Sequence, residues 1–104
     1  MASDLVSSTP MIDLSGTHGV ILGVANSRSL AWAIAKAVDA AGAQLTLSYA
    51  TERFEGRVRK LGSTLRKPPL IVPCEVTRDE EVRNLFATIE RERGGLDFLV
   101  HAVA

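Results

Sequence analysis

Cysteine occurs once in this 104-residue chain, at Cys74, so no disulfide forms within it. That cysteine and two distant histidines, His18 and His101, lack the spacing of a metal site. Net charge is absent too: twelve basic side chains balance twelve acidic ones, which removes the electrostatic case for nucleic acid or an anionic membrane. The basic run Arg57, Arg59, Lys60, Arg66, Lys67 is interleaved with Glu52 and Glu55 and reads as a solvated face. No apolar stretch approaches the roughly 18 residues of a membrane span. The opening residues MASDLVSSTP have neither the basic nor the apolar region of a secretory signal, and a reducing cytoplasm is expected. No internal repeat is present. Ser29 has no histidine nearby in the sequence to act as its base, which leaves hydrolase chemistry unsupported.

Apolar residues make up 46% of the chain, enough for the core of one small domain. The most informative stretch is HGVILGVANSRSLAWAIAKAV, residues 18–38. Val20, Ile21, Leu22 and Val24 form the short apolar run of a strand covered on both faces. Gly23 stands where that strand ends. Ser27 and Ser29 are candidate N-caps for a helix whose apolar stripe is expected at Leu30, Ala33, Ile34, Ala37, Val38 and Ala41. Trp32 is expected to pack on the helix surface. A strand that turns through glycine into a helix aims amide N–H groups and the positive helix end at one point, which suits a phosphate or pyrophosphate. The spacing departs from the G-x-G-x-x-G dinucleotide fingerprint: Gly23 is followed by Ser29 and Ala31, small residues where glycine is usual.

The rest of the chain alternates. Gly42 ends the first helix. Residues 44–49, QLTLSY, read as a second strand, and residues 52–65 as a helix with Phe54, Val58, Leu61 and Leu65 on one face, closed by Pro68 and Pro69. Residues 70–72 form a third strand. Thr77-Arg-Asp-Glu80 has the form of a capping box opening a third helix, with Val82, Leu85, Phe86 and Ile89 inward. Gly94 and Gly95 close it, and residues 96–100, LDFLV, read as a fourth strand running on toward Ala104. Cys74 reads as a small buried apolar residue, and His101 as a strand residue engaged in packing or backbone pairing.

The order β-α-β-α-β-α-β implies an α/β fold: a parallel sheet with right-handed crossovers, the arrangement of a partial Rossmann fold. The doubly wound sheet is incomplete, since its second half would follow the fourth strand. Residues 1–10 are expected to be a mobile extension, and residues 11–104 the N-terminal part of an NAD-binding Rossmann domain belonging to a longer protein or a truncated gene product.

Three stretches carry a family resemblance. Gly23-Val-Ala-Asn-Ser-Arg-Ser29-Leu-Ala-Trp32, Pro73-Cys-Glu-Val-Thr77 and Gly95-Leu-Asp-Phe-Leu-Val-His-Ala-Val-Ala104 resemble the modified glycine loop, the acid–valine pair and the fourth strand of the bacterial enoyl-acyl carrier protein reductases, a divergent branch of the short-chain dehydrogenases. The resemblance implies that Gly23, Ser29 and Leu30 lie under the pyrophosphate of a dinucleotide, that Glu75 and Val76 border its adenine, and that Val103 lies near the nicotinamide ribose. It implies NADH in preference to NADPH, because no pair of basic residues adjoins Ala50; Glu52 is a candidate for the ribose and Arg53 for a 2′-phosphate. It further implies a trans-2-enoyl substrate on acyl carrier protein and a homotetramer for an intact chain. The family's catalytic tyrosine, followed seven positions later by a lysine, has no counterpart: the sole tyrosine is Tyr49, and residue 56 is glycine. No catalytic residue is assigned within these residues. A dinucleotide-binding module without turnover, and another short-chain dehydrogenase, stand as alternatives.

Overall fold

The computed structural model describes residues 12–102. The expected extension at residues 1–10 lies outside them, as does Val103. β1 (His18–Leu22), β2 (Gln44–Tyr49), β3 (Leu70–Pro73) and β4 (Phe98–His101) alternate with α1 (Leu30–Ala40), α2 (Glu55–Gly62) and α3 (Asp79–Arg93). All the strand pairings are parallel, in the order β3-β2-β1-β4. β1 is therefore central, and strand order reverses direction between β1 and β4. In an open α/β sheet, ligands bind beyond the carboxyl ends of the strands at such a switch point.

The sheet has a core on each face. Ile21, Leu45, Leu47 and Tyr49 meet Ala31, Trp32 and Ala35 of α1 and Val58 of α2. Val20, Leu22, Val72 and Cys74 meet Leu85 and Ile89 of α3. All five residues of β1 are buried, as expected of a strand covered on both sides.

α1 departs from its expected stripe. Its most buried residues are Ala31, Trp32, Ala35 and Asp39, while Leu30 is 69% exposed. The inward face is turned by about one residue, roughly 100° around the axis. Alanine is scattered around this helix and marks no face; the small Ala31 and Ala35 let the helix approach the sheet closely, and Trp32 supplies the buried area. Trp32 is thus a core residue, not a surface one.

Asp39, an acid in the last turn of α1, is unfavourably placed toward the helix dipole. It is buried because its carboxylate accepts the amides of Arg66 at 2.9 Å and Lys67 at 3.4 Å, anchoring the loop that leads into β3. Gly42 follows with φ +103°, the left-handed conformation expected after the helix.

α2 is shorter than expected. A 3₁₀ turn over Glu52–Phe54 precedes it, and it stops at Gly62, before the prolines. A Cβ at Gly62 would lie 3.0 Å from Pro69 Cγ and 3.2 Å from Ile71 Cδ1, so the helix ends where it meets the incoming third strand.

The capping box does not form. Arg78 is the N-cap of α3, with no side-chain cap of its own. Glu81 reaches past it to accept the Glu75 amide at 2.9 Å, and the Thr77 hydroxyl donates to the Glu75 carboxylate at 3.3 Å. The turn is closed by a link to the end of β3, so the same hydrogen bonds tie the helix start to the strand. At the other end Gly94 caps α3 with φ +78°.

Candidate cofactor site

The glycine turn begins where β1 leaves the sheet. Gly23 has φ +90°, a conformation that strongly disfavours a side chain. The next amide, of Val24, donates to Ser48 O at 3.1 Å and so belongs to the scaffold; the expected convergence of the first amides after Gly23 does not include it. The turn is built on Asn26. Its side-chain oxygen accepts the Arg28 amide at 2.8 Å, and its carbonyl accepts the Ser29 amide at 3.2 Å and the Ser29 hydroxyl at 2.9 Å.

Ser29 is the N-cap of α1, as expected, with its hydroxyl oxygen accepting the Trp32 amide at 3.2 Å. That hydroxyl is therefore spent on the turn. The amides of Leu30 and Ala31, the first two of the helix, find no acceptor among the described residues. Two unpaired amides at a helix start are the donors a phosphate oxygen takes.

Two cavities flank this edge of the sheet. One, of about 580 Å³, lies between the glycine turn and α2 and is lined by Arg28, Arg57 and Lys60 with Asn26 and Ser27. The other, of about 440 Å³, lies beyond the ends of β2 and β3; Ala50 and Thr51 form part of its wall with Glu52, Glu55, Glu75 and Glu81. The structure thus brings Glu75 and Glu52 to one cavity. Gly23, Ser29 and Leu30 form the separate turn and helix start. Val76 is half-buried and packs against the α3-side core.

Burial pushes the Tyr49 hydroxyl above the usual phenol range, and Glu55 beside it adds to the rise. Burial likewise pushes the Cys74 thiol up, with Glu81 and Glu75 contributing. A raised thiol pKa means less thiolate at neutral pH. Cys74 in the native chain is therefore expected to react with iodoacetamide at pH 7.5 about tenfold more slowly, or worse, than in the urea-unfolded chain; equal rates followed by mass spectrometry would show an accessible thiol instead.

The sequence reading missed Asn26, Glu55, Glu81 and the basic trio. Asn26 carried a local signal, an asparagine three residues before a serine N-cap. Glu55 and Glu81 carried none, since they arrive from two different helices.

Sheet order, glycine turn and unpaired helix amides define this class of protein: the nucleotide-binding half of a doubly wound α/β fold. The comparisons with known proteins give the family. A family model described as enoyl-(acyl carrier protein) reductase matches residues 23–104. The enoyl-acyl-carrier-protein reductase (NADH) of Bacillus cereus is 46% identical over 92 residues, which is 88% of this chain and 36% of that protein. Among solved structures, the Anaplasma phagocytophilum reductase in complex with NAD is 48% identical, with a TM-score of 0.79 over 85% of this chain and 33% of that one. The Bacillus cereus reductase solved with NADP+ and indole naphthyridinone is 46% identical, with a TM-score of 0.81 over 86% of this chain and 35% of that one. The chain belongs to the enoyl-acyl carrier protein reductase family, and it spans about a third of the length of these relatives.

Proposed function

We propose that this chain binds NADH and forms the cofactor-holding part of an enoyl-acyl carrier protein reductase of fatty acid synthesis. The observation that carries the reading is the pair of unpaired amides at Leu30 and Ala31, set behind a glycine of positive φ at the switch point of the sheet. The curated relatives are named as NADH enzymes, and one solved relative holds NAD. Bound NADH supplies the hydride that reduces the enoyl double bond.

The chain's own residues bind and orient. The Leu30 and Ala31 amides hold the diphosphate, Ser29 fixes the helix start, and the glycine at position 23 lets the backbone turn close to the ligand. Glu75 and Val76 border the adenine at the end of β3. An enoyl thioester on acyl carrier protein as substrate, a homotetramer and a cytoplasmic setting complete the proposal for the whole protein. Among the described residues no helix is long and apolar enough to cross a membrane.

Ser29→Asp places a negative charge against the diphosphate and is expected to weaken NADH binding at least about tenfold in a fluorescence titration. Unchanged affinity would remove the glycine turn from the site. Aspartate is itself a good N-cap, so the helix start survives the change.

One observation favours a second reading, a binding module without turnover. Tyr49, the sole tyrosine, is buried at the end of β2 and is no candidate for protonating a substrate. Following NADH absorbance in the presence of an enoyl thioester separates the two: binding without oxidation supports the module.

A further inference from the structure

Given the cofactor reading above, we infer that Arg28, Arg57 and Lys60 form a capture surface for an anionic dinucleotide: their charges draw its diphosphate toward the glycine turn and speed association, and they do not hold the ligand once it is bound. The cavity of about 580 Å³ between the turn and α2 carries these three cations on its wall and no acid.

The neighbouring cations are committed elsewhere. Arg59 pairs with Glu55 at 2.9 Å. Arg53, the sequence's candidate for a 2′-phosphate, lies over the ring of Phe54, 4.9 Å from its centroid. Arg66 donates to Ala40 O at 3.2 Å and Lys67 to Gly42 O at 2.8 Å, both at the C-terminal end of α1. The basic run of the sequence is thus divided. Of its members, Arg57 and Lys60 line this cavity, where Arg28 meets them from the turn. None of the three pairs with a carboxylate among the described residues. Glu52 and Glu55, which interleave with the run in the sequence, line the separate cavity beyond β2 and β3.

The positive surplus is therefore local. The whole chain has no net charge and gives a dissolved anion no overall pull. Uncompensated cations around one cavity do, over a range set by the Debye length, about 10 Å at 0.1 M salt. Arg28 is fixed beside the seat of the diphosphate, because its own amide donates to the Asn26 side-chain oxygen at 2.8 Å and Leu30 follows shortly after it in the chain.

Exposure separates capture from holding. All three basic residues are exposed. Such a cation lends its field to an approaching anion but gains little from a close pair in water, where a long side chain must be ordered to make it. Leu30 and Ala31, whose amides take the diphosphate, are absent from the cavity wall. The basic residues act on the encounter, and the amides on residence.

The test is stopped-flow mixing of the chain with NADH, which yields association and dissociation rates separately. In ~0.1 M salt the double variant Arg57→Gln/Lys60→Gln is expected to associate about threefold more slowly or worse, with a dissociation rate within about a factor of 1.5 of the parent. Both positions are exposed on α2, and glutamine is a good helix former, so the fold is kept. Arg83→Gln/Arg93→Gln removes the same charge from α3, on the opposite face of the sheet, and should leave the association rate within about a factor of 1.5. Salt tests the same claim without a substitution: between ~0.02 and ~0.5 M the parent's association rate should fall while its dissociation rate holds. An unchanged association rate in the α2 variant, faster dissociation in its place, equal slowing in the α3 variant, or association that salt does not slow would overturn the capture surface and leave the cofactor reading standing. Failure of NADH to bind the parent chain would overturn the two together.

Discussion

Alanine in place of Gly19 is expected to lower the unfolding free energy by about 2–3 kcal/mol, read from the urea midpoint at unchanged slope. Propensity alone predicts the opposite sign, because glycine is a poor strand residue and alanine a slightly better one, by less than about 1 kcal/mol. Packing decides otherwise. Gly19 faces Phe98 across the β1–β4 ladder, and the Phe98 ring lies over the glycine so that a Cβ there would overlap its edge. The ring packs against the core on the α1 side, so moving it aside uncovers apolar surface. In a Phe98→Ala background the same added methyl should be nearly neutral. A Gly19→Ala chain as stable as the parent would show that the ring has room to move.

His18→Phe is expected to cost about 3 kcal/mol, again from denaturant unfolding. The imidazole is buried and bridges three parts of the chain: Nδ1 lies 2.9 Å from Gly95 O, and Nε2 lies 2.8 Å from the Thr46 hydroxyl. A carbonyl only accepts, so Nδ1 carries the proton, and Nε2 accepts from Thr46. Phenylalanine fills the space and makes neither bond, leaving the fully buried Thr46 hydroxyl without its partner. The pair version is the discriminating one. Removing both polar groups, as His18→Phe/Thr46→Val, should recover more than half of the loss, because a buried hydroxyl without a partner is the costly part. No recovery would place the cost in shape instead.

These two residues also mark where the sequence stopped being legible. Local chemistry was readable: β2 occupies the expected residues 44–49, Ser29 caps α1, and Gly42 and Gly94 take the left-handed turns after their helices. Each depends on neighbours within a few positions. The α/β alternation and parallel sheet followed from the same signals. Gly19, His18 and Asp39 owe their roles to partners far along the chain, at residues 98, 95 and 66, and no short window contains both ends. The Thr77–Glu80 box does not form because the helix begins one residue later, with Arg78 as its N-cap, while the Thr77 hydroxyl donates to the Glu75 carboxylate and Glu81 accepts the Glu75 amide at the end of β3. Within the site, the glycine turn was visible in the sequence, whereas the acidic cavity is formed where the 3₁₀ turn, α2, α3 and the ends of β2 and β3 meet in space.

The order β3-β2-β1-β4 has a consequence for how the chain is made. β1 is the first of the four described strands to be synthesised, yet one of its flanks is taken by β4, and the Asp97 carboxylate that receives the His18 amide lies 79 residues downstream. Until those residues clear the ribosome, a nascent chain holds the strand that ends up fully buried with an open flank, exposed to pairing with a neighbouring nascent chain. Closure of that flank is a long-range event and hence slow beside helix formation.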